Sequence, residues 1–295
     1  MNRTEYFKAY QEELSRVGKS QKTIDGYIFN VGKFLDYMEE TSGEVFNGSI
    51  TQTDVTVYSS HLTTVQKAAL STINTKLSAI QNFSDFLHNA YGMPLIKVQK
   101  KKGSITPKVE VLSKQELYQY LKYIENNANL LHRTIVQTFL NTGIREEELC
   151  NLEIDDIVNL DNTKNTEIII RSGKGDKFRT IGISGEYKKL LKEYIEHRPL
   201  TDSRKLFIGN RGTLTPNGVY KLVHRLGEQK GLHVYPHMLR HQYLSALAKN
   251  CTTAQDFKDL SQIAGHSSFD TTMKYYVSNS AENQRRITES LNYFE

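Results

Sequence analysis

Five short stretches in the second half of the chain concentrate side chains that bind anions, carry protons or attack electrophiles. They are TGIREEEL at 142–149, SGKGDKFR at 172–179, HMLRH at 237–241, AGH at 264–266 and KYY at 274–276. Taken singly, each is weak. An arginine at a helix start is usually a surface residue, and a lysine in a hairpin tip usually solvates the turn. His237 and His241 stand four apart on an expected helix, a spacing that two metal ligands could share. No glutamate follows His237 as in the HExxH pattern and no third ligand is evident, so neither a metal nor another cofactor is expected. Two adjacent tyrosines, Tyr275 and Tyr276, follow His266 by nine and ten residues. Tyrosine is usually a packing residue, so the question is whether either hydroxyl is a reagent.

Taken in order, the five stretches resemble the catalytic set of the tyrosine recombinases, the phage-integrase or Xer-like family. TGIREEEL is similar to that family's T-G-L-R-x-x-E-L box, and GKGDKFR to its G-K-G-x-K-x-R hairpin. HMLRH fits H-x-L-R-H, and GHSSFDTTMKYY fits G-H-S-S-x-x-T-T-x-x-Y. The resemblance implies a catalytic set of Arg145, Lys174, His237, Arg240, His266 and Tyr275, with Glu148 supporting the geometry around Arg145 or a histidine. The interval from His266 selects Tyr275, and Tyr276 becomes a packing or DNA-contact neighbour. On a helix the two side chains point about 100° apart. Two departures stand out. Glu146 and Glu147 occupy positions that are commonly small and apolar in the family. The chain between His241 and His266 is also about three residues longer than usual, an excess that a loop at 250–256 would absorb.

The chemistry suits these residue types. Exchanging a DNA phosphodiester for a phosphotyrosine keeps the bond's energy, so rejoining needs no cofactor. A free tyrosine has a pKa near 10, so only ~0.1% is ionised at neutral pH, a deficit of about 4 kcal/mol. A base and a cationic pocket must offset it. The resemblance assigns His237 as the base, a role suited to imidazole. It assigns Arg145 and Arg240 to the non-bridging oxygens, which planar guanidiniums match. His266 adds a donor to the same oxygens. Lys174, between Gly173 and Gly175, becomes the general acid for the 5′-oxygen.

The elements that must position these residues are legible in outline. The 295-residue chain is long enough for two domains, and 38% hydrophobic with 24% charged residues reads as globular and soluble. No apolar run approaches the roughly 18 residues of a membrane span, and the polar N-terminus is not a signal peptide. Two cysteines form no metal cluster or disulfide framework and fit a reducing cytoplasm. The net charge of +5 permits a nucleic-acid partner without demanding one.

Residues 1–92 read as a helical bundle. Ile24, Tyr27, Ile28, Val31, Phe34, Leu35 and Met38 lie on one helix face after the N-cap candidate Ser20, and Ile73, Leu77, Ile80, Phe83, Leu87 and Tyr91 on another. Shorter helices are expected near 2–17 and 53–63. Residues 93–111, rich in lysine, glycine and proline, read as a basic linker. A catalytic domain is expected over 112–279, opening with the SKQE capping box at 113–116. Helices are expected near 129–140, 185–197, 216–229, 237–249, 256–264 and 270–276, with a β-hairpin at 166–184. Residues 280–295 are expected to form a C-terminal helix that either packs on its own domain or is exchanged between protomers.

The implied fold is mainly α with a small antiparallel β-sheet (α+β). A SAM-like helical DNA-binding domain and a tyrosine-recombinase catalytic domain close as a C-shaped clamp. The implied partner is a double-stranded DNA core site with inverted repeats, bound by a homotetramer on two sites from a protein that is monomeric in free solution. Candidate DNA contacts are Lys100, Lys101, Lys102 and Lys108 in the linker and Lys177, Arg179 and Arg211 in the second domain. The expected location is cytoplasmic, on the nucleoid. The expected activity is site-specific recombination through a 3′-phosphotyrosyl intermediate and a Holliday junction, in an Xer-like, transposon-resolution or integration system. A type IB topoisomerase and a non-catalytic architectural DNA-binding protein are the alternatives.

Overall fold

The computed structural model describes residues 1–103, 110–161, 166–171, 178–183 and 185–265. The chain divides into two compact units between residues 105 and 106.

The first unit holds four helices, α1 (Arg3–Arg16), α2 (Gln21–Ser42), α3 (Gln52–Thr64) and α4 (Leu70–Tyr91). Three begin where a short polar side chain receives an otherwise unpaired N–H: Asn2 for α1, Ser20 for α2 and Thr51 for α3. The two long helices end at Gly43 and Gly92, with φ +72 and +67, the left-handed turn that glycine adopts without a Cβ penalty. Ile24, Val31, Phe34 and Leu35 of α2 meet Ile73, Leu77, Ile80 and Phe83 of α4 in one core. Tyr10 of α1 fills its centre, its ring 4.9 Å from Phe83 and its hydroxyl donating to Asn82 at 2.7 Å.

The structure differs from the expected spacer in its first half. Ile96 is buried in the first unit's core, and Met93 and Val98 pack against it. Residues 93–103 therefore belong to the helical unit.

The second unit opens with α5 (Lys114–Asn127), whose capping box pairs Ser113 and Glu116. Then come α6 (Leu130–Thr142) and the short α7 (Glu146–Asn151). A three-stranded antiparallel sheet follows in the order β1 (Ile157–Val158), β2 (Thr166–Arg171), β3 (Phe178–Ile183). Ile168 and Ile170 of β2 and Ile181 and Ile183 of β3 point into the core. The expected hairpin is β2–β3, paired from Thr166↔Ile183 to Arg171↔Phe178. The two-residue β1 carries too little pattern to be read from sequence.

Beyond the sheet lie α8 (Gly185–Glu196), a small hairpin of β4 (Ile208–Gly209) and β5 (Gly212–Thr213), α9 (Pro216–Glu228), α10 (Pro236–Ala248) and α11 (Ala254–Ala264). Helix α6 is central and packs on α8 and α10. Its Thr134, Thr138 and Thr142 are buried, and each hydroxyl donates to the carbonyl four residues back. Helix α11 closes onto α10 through Leu244, Leu260 and Ala264. No helix among the described residues is long and apolar enough to cross a membrane.

Candidate active site

The candidate site is built where α6, α10 and α11 present their ends. Helix α6 stops at Gly143 and α11 at Gly265, both left-handed with φ +58. A helix C-terminus leaves carbonyls unpaired and carries partial negative charge, so it attracts cations. Two arginines answer it. Arg240, on the inner face of α10 and only 2% exposed, donates to the Gly143 carbonyl and, at 2.5 Å, to the Ala264 carbonyl. Arg145, the N-cap of α7, donates to the Gly265 carbonyl at 2.7 Å. The two guanidiniums thus converge on consecutive carbonyls, directly before His266.

A second layer fixes Arg145. Glu148, 9% exposed, accepts from the Arg145 backbone at 2.8 Å and from its Nη1 at 3.0 Å. The same carboxylate takes two parallel bonds from Arg179 on β3, at 2.8 and 2.7 Å. Burial pushes the Glu148 pKa up, but the hydrogen bonds and charges of Arg179 and Arg145 outweigh it and hold the group at about 2. The cluster sets three guanidiniums against one carboxylate and so favours an anion. Arg145, with 41% of its side chain exposed, is the guanidinium most open to solvent.

Arg179 was expected as a DNA contact on the surface, and the structure places it differently. Its side chain is 11% exposed, both terminal nitrogens are committed to Glu148, and its buried Nε has no hydrogen-bond partner. The signal was available in strand parity. Residues 179, 181 and 183 share one face of β3, and Ile181 and Ile183 are buried. Sequence reasoning also missed Gly265. A Cβ there would lie 2.8 Å from Arg179 Nη1 and 3.1 Å from Arg145 Nη1, on a backbone already left-handed. Only glycine lets the backbone pass this close to both arginines.

His237 sits in the first turn of α10, after Pro236 at the first helical position. It reaches solvent, yet the atoms packed around its ring and then the charges of Arg240 and Arg145 lower its pKa below 6.5. It is therefore neutral at pH 7 and able to accept a proton. His241 packs edge-on against it with ring centroids 4.3 Å apart. Among the described residues no group of three or more His, Cys, Asp or Glu is placed to hold a metal ion. Glu146 and Glu147 occupy the first turn of α7, where the helix dipole favours negative charge. Burial, followed by their charges, raises the nearby Cys150 thiol to about 11, which removes it as a nucleophile at neutral pH.

Lys100 and Lys102 are exposed on the first unit, Lys101 is half-buried, and Arg211 is exposed in the turn between β4 and β5. Lys108, Lys174, Lys177, His266, Tyr275, Tyr276 and the C-terminal helix expected at 280–295 lie outside the described residues.

The Phage integrase family profile matches residues 110–282, which contain all of this geometry. The chain belongs to the phage integrase family. Residues 6–92 separately match the phage integrase N-terminal SAM-like domain. The chain is similar to Tyrosine recombinase XerA of Pyrococcus furiosus, at 27% identity over 99% of this chain and 96% of that protein. It is similar to Tyrosine recombinase XerC of Lactobacillus delbrueckii subsp. bulgaricus, at 28% identity over 87% of this chain and 88% of that protein. Its fold resembles the XerH site-specific recombinase in a pre-cleavage complex with its difH substrate. The TM-score is 0.73 at 23% identity, over 97% of this chain and 85% of that one.

Proposed function

We propose that this phage integrase family member is a site-specific DNA recombinase that cleaves and rejoins duplex DNA through a 3′-phosphotyrosyl intermediate on Tyr275. The observation that carries the reading is the convergence of Arg145 and Arg240 on the carbonyls of Gly265 and Ala264, one residue before His266.

In the proposed reaction the Tyr275 hydroxyl attacks phosphorus and loses its proton to His237. One P–O bond forms as another breaks, and Lys174 supplies the proton that leaves with the 5′-oxygen. Arg145 faces the scissile phosphate, and His266 adds a donor. Arg240 backs the pocket by tying α6 to α11. Glu148 and Arg179 brace Arg145 rather than reacting. The exchange conserves one phosphoester bond throughout, so rejoining reverses the same steps with a new 5′-hydroxyl.

The similarity to XerA and XerC favours an Xer-like system over integration. The helical first unit is assigned to the core DNA site, and the catalytic unit to residues from about 110 onward. Four protomers on two inverted-repeat sites, linked by exchange of the helix at 280–295, would carry the reaction through a Holliday junction.

The test starts by selecting a DNA site from random duplexes with the full-length protein. A nicked suicide substrate carrying that site is expected to trap a covalent adduct, and two sites together are expected to give junctions and recombinants. Relaxation of a supercoiled single-site plasmid, with no junction or recombinant from paired sites, would instead make it a topoisomerase. Binding without any adduct would make it an architectural protein.

A further inference from the structure

Residues 96–103 lie along α4, held by two side-chain amides. Gln81 accepts from the Val98 N–H at 2.7 Å and donates to the Ile96 carbonyl at 3.1 Å. Asn74 accepts from the Lys101 N–H at 2.9 Å and donates to the Lys101 carbonyl at 3.1 Å. Each amide offers the strap a donor and an acceptor together, as a neighbouring β-strand would. The spacing explains why the match works twice. Seven residues of helix place Asn74 and Gln81 on nearly the same face, about 10.5 Å apart. Three residues of extended chain, from Val98 to Lys101, span about 10 Å. The strap therefore runs antiparallel to α4 in register with it. Ile96 anchors one end in the core. At the other end Gly103 lies so close to Leu70, the first residue of α4, that a Cβ would collide with the leucine side chain.

This docking sorts the lysines. Lys101 turns its ammonium back onto the Thr63 hydroxyl at the end of α3. Lys97, Lys100 and Lys102 are exposed.

We propose that residues 96–103 form a rigid phosphate-binding rail of the helical unit, in which Asn74 and Gln81 are positioning residues and Lys101 is a structural tether. Lys97, Lys100 and Lys102 are the side chains that meet the sugar-phosphate backbone of duplex DNA. The inference rests on the DNA-binding reading above. A free spacer would lose conformational entropy residue by residue as it settled on phosphates. A strap already ordered by folding avoids that loss, so its charges bind more tightly for the same number of contacts. The amide clip thus governs affinity, and the outward lysines govern salt dependence.

The test uses the full-length chain and a fluorescein-labelled duplex of mixed sequence, about 30 base pairs long, titrated across a salt series. Hydrogen exchange on the free protein is expected to show the Val98 and Lys101 amides protected at least about tenfold, and Asn74→Ala/Gln81→Ala to lose that protection. Lys100→Ala/Lys102→Ala is expected to flatten the plot of log affinity against log salt by about 1.8, at about 0.9 per phosphate contact, while Lys101→Ala leaves the slope unchanged. The clip variant is expected to bind about tenfold more weakly with the slope kept. The lysine variant disturbs no packing, so its result stands even where the clip variant melts early. Unprotected amides in the wild type, an unchanged slope in the lysine variant, or wild-type affinity in the clip variant would each overturn the rail alone. A wild-type protein with no salt-dependent DNA binding would overturn the DNA-binding reading and the rail with it.

Discussion

Replacing Glu148 with glutamine tests the brace behind Arg145 without needing a DNA substrate. The substitution keeps the shape and removes the charge that faces Arg145 and Arg179. Glu148 is 9% exposed, so solvent screens its interactions little. Its pKa falls from 4.5 to about 2 in the folded protein. At 1.36 kcal/mol per pKa unit that corresponds to about 3 kcal/mol. The sign follows from the direction. A depressed carboxylate stabilises the fold fully above its unfolded pKa, and the contribution drains away as pH falls from about 4.5 toward 2. Glu148→Gln is therefore expected to lower the melting temperature of the catalytic unit at pH 7 by about 6–12 °C. Urea unfolding at pH 7 should show the gap, and it should narrow at pH 3, where the carboxyl takes up a proton in the unfolded chain while the folded one stays mostly ionised. Adding Arg179→Met should restore part of the loss, because removing both charges leaves no buried cation without a partner. A gap that does not change with pH, or single-variant losses that simply add, would refute the brace.

Three further outcomes follow from the same geometry. Gly265→Ala places a Cβ 2.8 Å from Arg179 Nη1 at φ +58, and is expected to cost about 1–3 kcal/mol in chemical denaturation and to slow DNA cleavage further than its stability loss explains. Arg240→Lys loses the forked donation to Gly143 and Ala264, and the resulting displacement of the pocket should slow single-turnover cleavage of a selected site about 10²-fold with DNA affinity nearly kept. Because burial and then the charges of Arg240 and Arg145 lower the His237 pKa, the acid limb of the cleavage rate should have its midpoint below that of a free imidazole, and His237→Gln should remove that limb.

How much the sequence revealed depended on how far along the chain the deciding signal lay. Helix α2 was legible because Ser20 capped it and Ile24, Val31, Phe34 and Leu35 repeated on one face. The Ser113–Glu116 box was equally local. Arg145, Arg240 and His237 could be chosen by motif, and the structure brings them to one place. Their anchors could not be chosen, because a carbonyl at the end of α11 has no residue type to announce it. The inward position of Arg179 was hidden for a related reason. A lone arginine near a lysine-rich tip reads as surface, and only its parity with Ile181 and Ile183 points it inward. Residues 93–103 read as a spacer because lysine, glycine and proline dominate their composition. Their order comes from Asn74 and Gln81, roughly twenty residues earlier on a neighbouring helix.

In the proposed reaction this pocket serves a tyrosine at position 275. The direct measurement is covalent adduct formation on a nicked substrate carrying the selected site, comparing Tyr275→Phe with Tyr276→Phe. Tyr275→Phe is expected to form no adduct while binding the site normally, and Tyr276→Phe to form adduct close to the wild-type level. Adduct retained by Tyr275→Phe and lost by Tyr276→Phe would contradict the assignment of the nucleophile. Adduct retained by both would contradict a tyrosine nucleophile at this pair altogether.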